Sequence, residues 1–186
     1  MKLFVLGITG RRGAGKDTAA EYFSKKYGFR VLTFTDDVLA PMLRSMGKKV
    51  TRENLIDLGM DMRETFDSKA VLAAALCERI GWRGLWAISG VRFPEEVRYF
   101  RSNFGNNFRL ISVECSAKKR YDRLRRRGTK GEGRMSYQEF MKIEKRPTEK
   151  PIDKTMKMAK FRLDNNKTRN DLYRQIERIY EKFKLE

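Results

Sequence analysis

The chain contains no histidine, which removes an imidazole general base and a histidine-ligated metal site together. Only two cysteines occur, Cys77 and Cys115, both in apolar helix or strand contexts, so free buried thiols are expected rather than a disulfide or a thiolate metal centre. Glutamine is equally scarce, at Gln138 and Gln175, while charged residues reach 35%, a balance typical of heat-adapted surfaces. No run approaches the roughly 18 to 20 uninterrupted apolar residues of a membrane-spanning helix, and Met1-Lys2 leads into a strand rather than a signal peptide. A cytoplasmic protein with no membrane partner is expected. No internal repeat and no low-complexity linker divides the 186 residues, so residues 1–186 read as one domain around one sizeable core.

Positive charge, by contrast, is abundant. Lysine and arginine number 42 against 24 acidic residues, a net +18, and residues 116–186 alone hold 23 basic and 11 acidic side chains. Such a field favours anionic partners, from nucleotides to nucleic acid, through steering and counterion release. A solvated, heat-adapted surface accounts for the same charge.

The most informative stretch is Gly10-Arg11-Arg12-Gly13-Ala14-Gly15-Lys16-Asp17-Thr18, between the apolar run Leu3 to Ile8 and a helical continuation through Phe23. Small residues at Gly10, Gly13, Ala14 and Gly15 let backbone N–H groups converge on a polyphosphate at a helix N-terminus. Lys16 then reaches the outer phosphates. The usual pattern places a hydroxyl directly after the lysine to take Mg²⁺; here Asp17 stands there and Thr18 follows. Asp17 is therefore a candidate Mg²⁺ ligand and Thr18 a candidate phosphate contact.

Further apolar runs predict strands at Arg30 to Phe34, Leu85 to Ser89, Arg109 to Glu114 and Phe161 to Leu163. Between them, helices are predicted from a cap at Thr35 or Asp36 through Met46, over Arg52 to Arg63, Ser68 to Ile80, Pro94 to Arg101 and Ala117 to Arg127, and from a Ser136 cap. A final helix buries Leu172, Ile176, Ile179 and Phe183. Gly128, Gly131 and Gly133 break the basic helix into a loop. The alternation predicts an α/β fold: a five-stranded parallel sheet with helices on both faces and sites at the carboxyl ends of the strands. Thr35-Asp36-Asp37, Gly90-Val91-Arg92 and Cys115-Ser116 then join the phosphate loop around one cleft.

Gly15-Lys16-Asp17-Thr18, Phe34 to Leu39, Leu58 to Arg63 and Ile88 to Glu96 together resemble P-loop nucleoside and deoxynucleoside monophosphate kinases. The stretch from Arg120 to Asp164-Asn165 is also similar to dephospho-coenzyme A kinases and their archaeal relatives. The resemblance implies an ATP- and Mg²⁺-dependent phosphotransferase, with a helical acceptor-binding segment at 36–80 and a basic lid at 117–146. Asp36 or Asp37 would meet the acceptor or a metal-bound water, and Arg63 and Arg92 its phosphate. In the basic helix Arg120, Arg123 and Arg127 share one face. The resemblance gives Arg123 adenine stacking and Arg127 the transferring phosphoryl, with Arg134 a further candidate, while Asn165 precedes the nucleotide-base loop.

Each of these has a plainer alternative: a helix cap for Asp36, a solvated face for Arg63, an ion pair with Glu95 or Glu96 for Arg92, a turn for Asn165. The chain also departs from the pattern. Ser89 and Gly90 occupy the place of an acid that organises Mg²⁺, Lys160 stands for an aspartate and Ile143 for an arginine. The acceptor expected first is a (deoxy)nucleoside monophosphate, with dephospho-coenzyme A or a polynucleotide end as alternatives.

Overall fold

Five short apolar runs form one parallel sheet: β1 (Leu3–Thr9), β2 (Arg30–Thr33), β3 (Gly84–Val91), β4 (Phe108–Glu114) and β5 (Phe161–Asp164). Their spatial order is β2-β3-β1-β4-β5, which leaves β1 in the centre with both neighbours parallel to it. The computed structural model describes residues 2–128, 133–145 and 149–185. Gly131, expected in the glycine-broken loop, and residue 146 at the end of the expected lid lie outside the described residues. Among the described residues no helix is long and apolar enough to cross a membrane.

Adjacent strand residues face opposite sides, so a sheet covered on both faces needs near-continuous apolar strands. Accordingly, Val5 packs with Ile88, Val97, Phe100 and Leu110 on one side, under α4 (Val71–Cys77) and α5 (Pro94–Phe104). Leu6 and Ile8 pack with Phe23, Ile111, Leu163 and Ile176 on the other, under α1 (Lys16–Tyr27) and α9 (Arg169–Leu185). The predicted apolar stripe of α9 is the one buried, at Leu172, Ile176, Ile179 and Phe183. A smaller cluster of Tyr121, Leu124 and Phe140 holds α6 (Ala117–Arg127) to α7 (Tyr137–Glu144). Ser136 caps α7 as expected, accepting from the Glu139 N–H at 3.2 Å. Cys77 and Cys115 are free thiols, each half-buried; burial pushes Cys77 up to about 12.

Three local expectations need correcting. The chain leaves β2 at Thr33 rather than Phe34 and enters a π-helical turn, Thr35–Leu39, which runs into α2 (Ala40–Ser45). The cap there is neither Thr35 nor Asp36: Thr33 Oγ1 accepts from the Asp36 N–H at 2.8 Å, and the Asp36 carboxylate accepts in return from that hydroxyl at 2.9 Å. After α3 (Arg52–Thr65), the helix expected over Ser68 to Ile80 is shorter, Val71–Cys77. The third correction is an addition. Residues Lys150–Lys157 form α8, which Pro151 starts from its first turn.

Candidate active site

The carboxyl ends of β1, β2 and β3 lie side by side, with Thr33 level with Ser89 and Thr9 level with Val91. The phosphate loop leaves β1 at this edge. Gly10 has φ +150°, and a Cβ on it would sit 2.5 Å from the Val113 carbonyl oxygen, so only glycine lets the loop pass this close to β4. At Gly15, φ +102°, a Cβ would meet the Asn165 amide nitrogen at 2.2 Å. Asn165 itself is buried and donates from Nδ2 to the Ala14 carbonyl at 2.7 Å, while Arg123 donates to the Asn165 carbonyl at 2.9 Å. Both expected base-site residues are thus pinned against the loop. Next to them, Arg11, Ala14, Cys115, Ser116 and Met156 line a cavity of about 320 Å³.

Lys16 opens α1 and folds back, its Nζ donating to the Arg11 carbonyl at 3.2 Å. Desolvation, with the positive charges of Arg92 and Arg120, lowers its pKa to about 8 against the opposing pull of Asp17 and Glu149. Lys16 at the start of α1 and Arg92 just past the end of β3 are thus close enough for one charge to act on the other. An anion placed between them restores the balance. Asp17 is exposed and accepts from Ser89 Oγ at 3.1 Å; Thr18 is half-buried in the first turn of α1.

On the β2 side, Asp36 and Asp37 both turn back to the strand end. Asp37 Oδ2 accepts from the Thr33 N–H at 2.6 Å, so both carboxylates shape the turn that carries them. Arg63 is not on a solvated face: it lies 4.7 Å over the Phe93 ring and donates to the Gly59 carbonyl at 2.6 Å and to Glu96 at 3.2 Å. Burial pushes the Glu96 carboxyl above the usual carboxylate range, opposed by donors from the Arg92 N–H, Arg63 and the Phe93 N–H. Beyond it a groove of about 870 Å³ runs between Met60, Arg63, Phe93, Arg98 and Tyr99.

Arg92 pairs with neither Glu95 nor Glu96 through its side chain. Its guanidinium donates to Glu149 at 2.8 Å, and Thr155 Oγ1 of α8 donates to the Arg92 carbonyl at 2.8 Å. Glu149 belongs to a set of acids that the sequence did not single out. Glu144 bridges Arg11 at 3.0 Å and Arg120 at 2.7 Å, and Asp153 accepts from Arg11 at 2.6 Å. Arg120, expected with Arg123 and Arg127 on one face of α6, is therefore a buried strut that also donates to the Arg12 carbonyl at 3.2 Å. Arg127 and Arg134 are exposed. The only local trace of these acids was their charge in an otherwise basic stretch.

Residues 6–144 match the family model described as an AAA domain. A UPF0200 protein of Sulfurisphaera tokodaii is 31% identical over 178 residues, covering 94% of this chain and 94% of its own length. The chain belongs to the UPF0200 family. A second member, from Methanothermobacter thermautotrophicus, is 34% identical over 148 residues, covering 78% of this chain and 73% of its own. Among solved structures, a shikimate kinase from Bacteroides thetaiotaomicron superposes with a TM-score of 0.59 at 14% identity, over 97% of this chain and 98% of that one. A deoxyadenosine kinase from M. mycoides, bound to dCMP and dCDP, gives 0.53 at 16%, over 98% and 100%. The fold is the P-loop kinase fold, with the five-stranded parallel sheet that the sequence pattern predicts.

Proposed function

We propose that this protein transfers the γ-phosphoryl group of ATP to a small phosphorylated acceptor, a (deoxy)nucleoside monophosphate. The observation that carries this reading is the glycine-built loop with Lys16 at the carboxyl edge of the sheet, where the charge of Arg92, from the end of β3, reaches the lysine. Lys16 and the amides of residues 10–15 would hold the donor phosphates, while Arg123 and Asn165 would border its base. Arg92, with Arg63 behind it, would orient the acceptor phosphate through a planar two-point contact. Arg127 would add charge at the transferring group. Little covalent chemistry is asked of the protein, because positioning and charge neutralisation supply most of the catalysis in this reaction class.

The turn at β2 favours a phosphate acceptor over a hydroxyl one. A phosphate oxygen is already ionised, whereas an alcohol needs a base, and Asp36 and Asp37 both spend carboxylate oxygens on Thr33. Their part is to fix the wall of the acceptor site. Magnesium fits the donor side: Asp17 offers an exposed carboxylate beside Lys16, and Mg²⁺ is usually held by one or two carboxylates plus phosphates. When bound there, the ion would supply charge neutralisation at the phosphates.

Arg92→Ala should raise the acceptor KM by about tenfold to a hundredfold, the worth of a charge-assisted hydrogen bond, with a smaller change in the KM for ATP. Initial rates with each substrate varied in turn check this; an equal rise in both constants would remove Arg92 from the acceptor side. The function itself is tested by incubating the protein with γ-labelled ATP and Mg²⁺ against nucleoside monophosphates, dephospho-coenzyme A and oligonucleotides. Label on a nucleoside monophosphate supports the reading, while label only on dephospho-coenzyme A replaces it.

The exposed Arg125, Arg126 and Arg127 at the end of α6 support a second reading, a kinase of polynucleotide ends. Its mark is oligonucleotide affinity that falls steeply with salt together with label appearing only on oligonucleotides.

A further inference from the structure

P-loop enzymes usually take Mg²⁺ on the Ser or Thr that follows the loop lysine, with a carboxylate from a neighbouring strand alongside. In this chain a carboxylate, Asp17, follows Lys16, and a hydroxyl, Ser89, stands near the end of β3. The two groups touch, with Ser89 Oγ donating to Asp17 Oδ1 at 3.1 Å. We infer that Asp17 and Ser89 form an exchanged magnesium pair, in which the carboxylate on the helix binds the ion and the hydroxyl on the strand orients that carboxylate. The inference rests on the nucleotide-binding reading above.

Three features support the exchange over an ordinary acidic residue at a helix start. Ser89 is 5% exposed and set in register with Ile8 and Thr33 on either side, so its hydroxyl has a fixed direction. That hydroxyl is spent on a side chain 72 positions away rather than on its own backbone, as a serine with no site to serve would often do. The total is also conserved: one carboxylate and one hydroxyl remain beside the loop, so the charge facing Mg²⁺ and the phosphates is that of the usual arrangement. Only the element bearing the charge changes. Placing it in the first turn of α1 adds a favourable interaction with the helix N-terminus.

The exchange makes a reciprocal prediction. Mn²⁺ replaces Mg²⁺ as a spectroscopic probe, and its binding to the full chain with ADP is read by electron paramagnetic resonance, with metal-free ADP binding followed by calorimetry. Asp17→Ser leaves two hydroxyls and no carboxylate, and should weaken Mn²⁺ binding by about tenfold to a hundredfold. Asp17→Asn, which keeps the shape and removes the charge, should do the same. The double variant Asp17→Ser with Ser89→Asp restores the usual arrangement and should recover Mn²⁺ affinity to within about threefold of the parent, the non-additivity expected of a coupled pair. A cooperative circular-dichroism melt at the parental temperature shows that each variant is folded.

Unchanged Mn²⁺ affinity in Asp17→Ser and Asp17→Asn would overturn the pair, as would a double variant as weak as the single one. A parent protein that binds ADP but gains no Mn²⁺ affinity with it overturns the pair and leaves the nucleotide site standing. Failure to bind ADP at all overturns both.

Discussion

Lys16→Ala should reduce phosphoryl transfer by about a hundredfold to a thousandfold, the loss typical of removing one preorganised charge-stabilising donor. The lysine donates a hydrogen bond to the Arg11 carbonyl, and desolvation and the charge of Arg92 both oppose its protonated form. Removing it therefore relieves repulsion from Arg92 and costs a donor to bound phosphates. The variant should melt no lower than the parent. Steady-state rates beside circular-dichroism melts separate these effects, and a folded Lys16→Ala protein that keeps substantial transfer would remove the loop from catalysis.

The largest expected effect on stability lies at a residue that no motif marks. Glu144→Ala should cost about 3–5 kcal/mol, because it leaves a buried guanidinium without its counter-charge. Arg120 is 4% exposed and Glu144 7% exposed, so water cannot readily replace the lost partner. Arg11, the other guanidinium on that carboxylate, still has Asp153 at 2.6 Å and is better protected. The same substitution should also loosen the loop, since Arg120 donates to the Arg12 carbonyl and Arg11 accepts the Lys16 bond. Urea unfolding of Glu144→Ala checks the first expectation. A loss below about 1 kcal/mol, the range of exposed pairs, would show that Arg120 finds other compensation.

These two positions mark what was legible in the sequence and what was not. β1 and the loop after it could be read because their signal is local: an apolar run, then glycines at fixed spacing, then Lys16. The stripe of α9 could be read for the same reason. Helix α8 could not, since only Ile152 and Thr155 of its eight residues are buried and the rest read as a polar stretch. The π-helical turn after β2 is likewise invisible to periodicity. Its cap is Thr33, whereas the sequence pattern points to Thr35 or Asp36, where polar side chains crowd. Arg92 stands out from its motif, but its partner Glu149 lies 57 positions away, at the N-cap of the unforeseen α8. Charge balance across such distances depends on how β3 and α8 pack, and composition records only the total.

The long-range acids also refine the meaning of the basic composition. Arg11, Arg92 and Arg120 are paired within the chain with Glu144, Glu149 and Asp153, so these three of the 42 basic side chains add nothing to the net +18, which other residues carry. On the proposed reading Arg92 would exchange Glu149 for the acceptor phosphate, one charge-assisted contact for another.

The central claim is that one cleft holds a donor triphosphate on Lys16 and a second phosphate on Arg92 at the same time. Titrating the protein calorimetrically with a pentaphosphate that joins adenosine to the accepting nucleoside tests it most directly. Occupying both halves with one molecule should give affinity at least about a hundredfold above that of ATP, through the effective concentration of the linked second half, and Arg92→Ala should erase most of the gain. Binding no tighter than ATP, unaltered by Arg92→Ala, would contradict the two-site cleft.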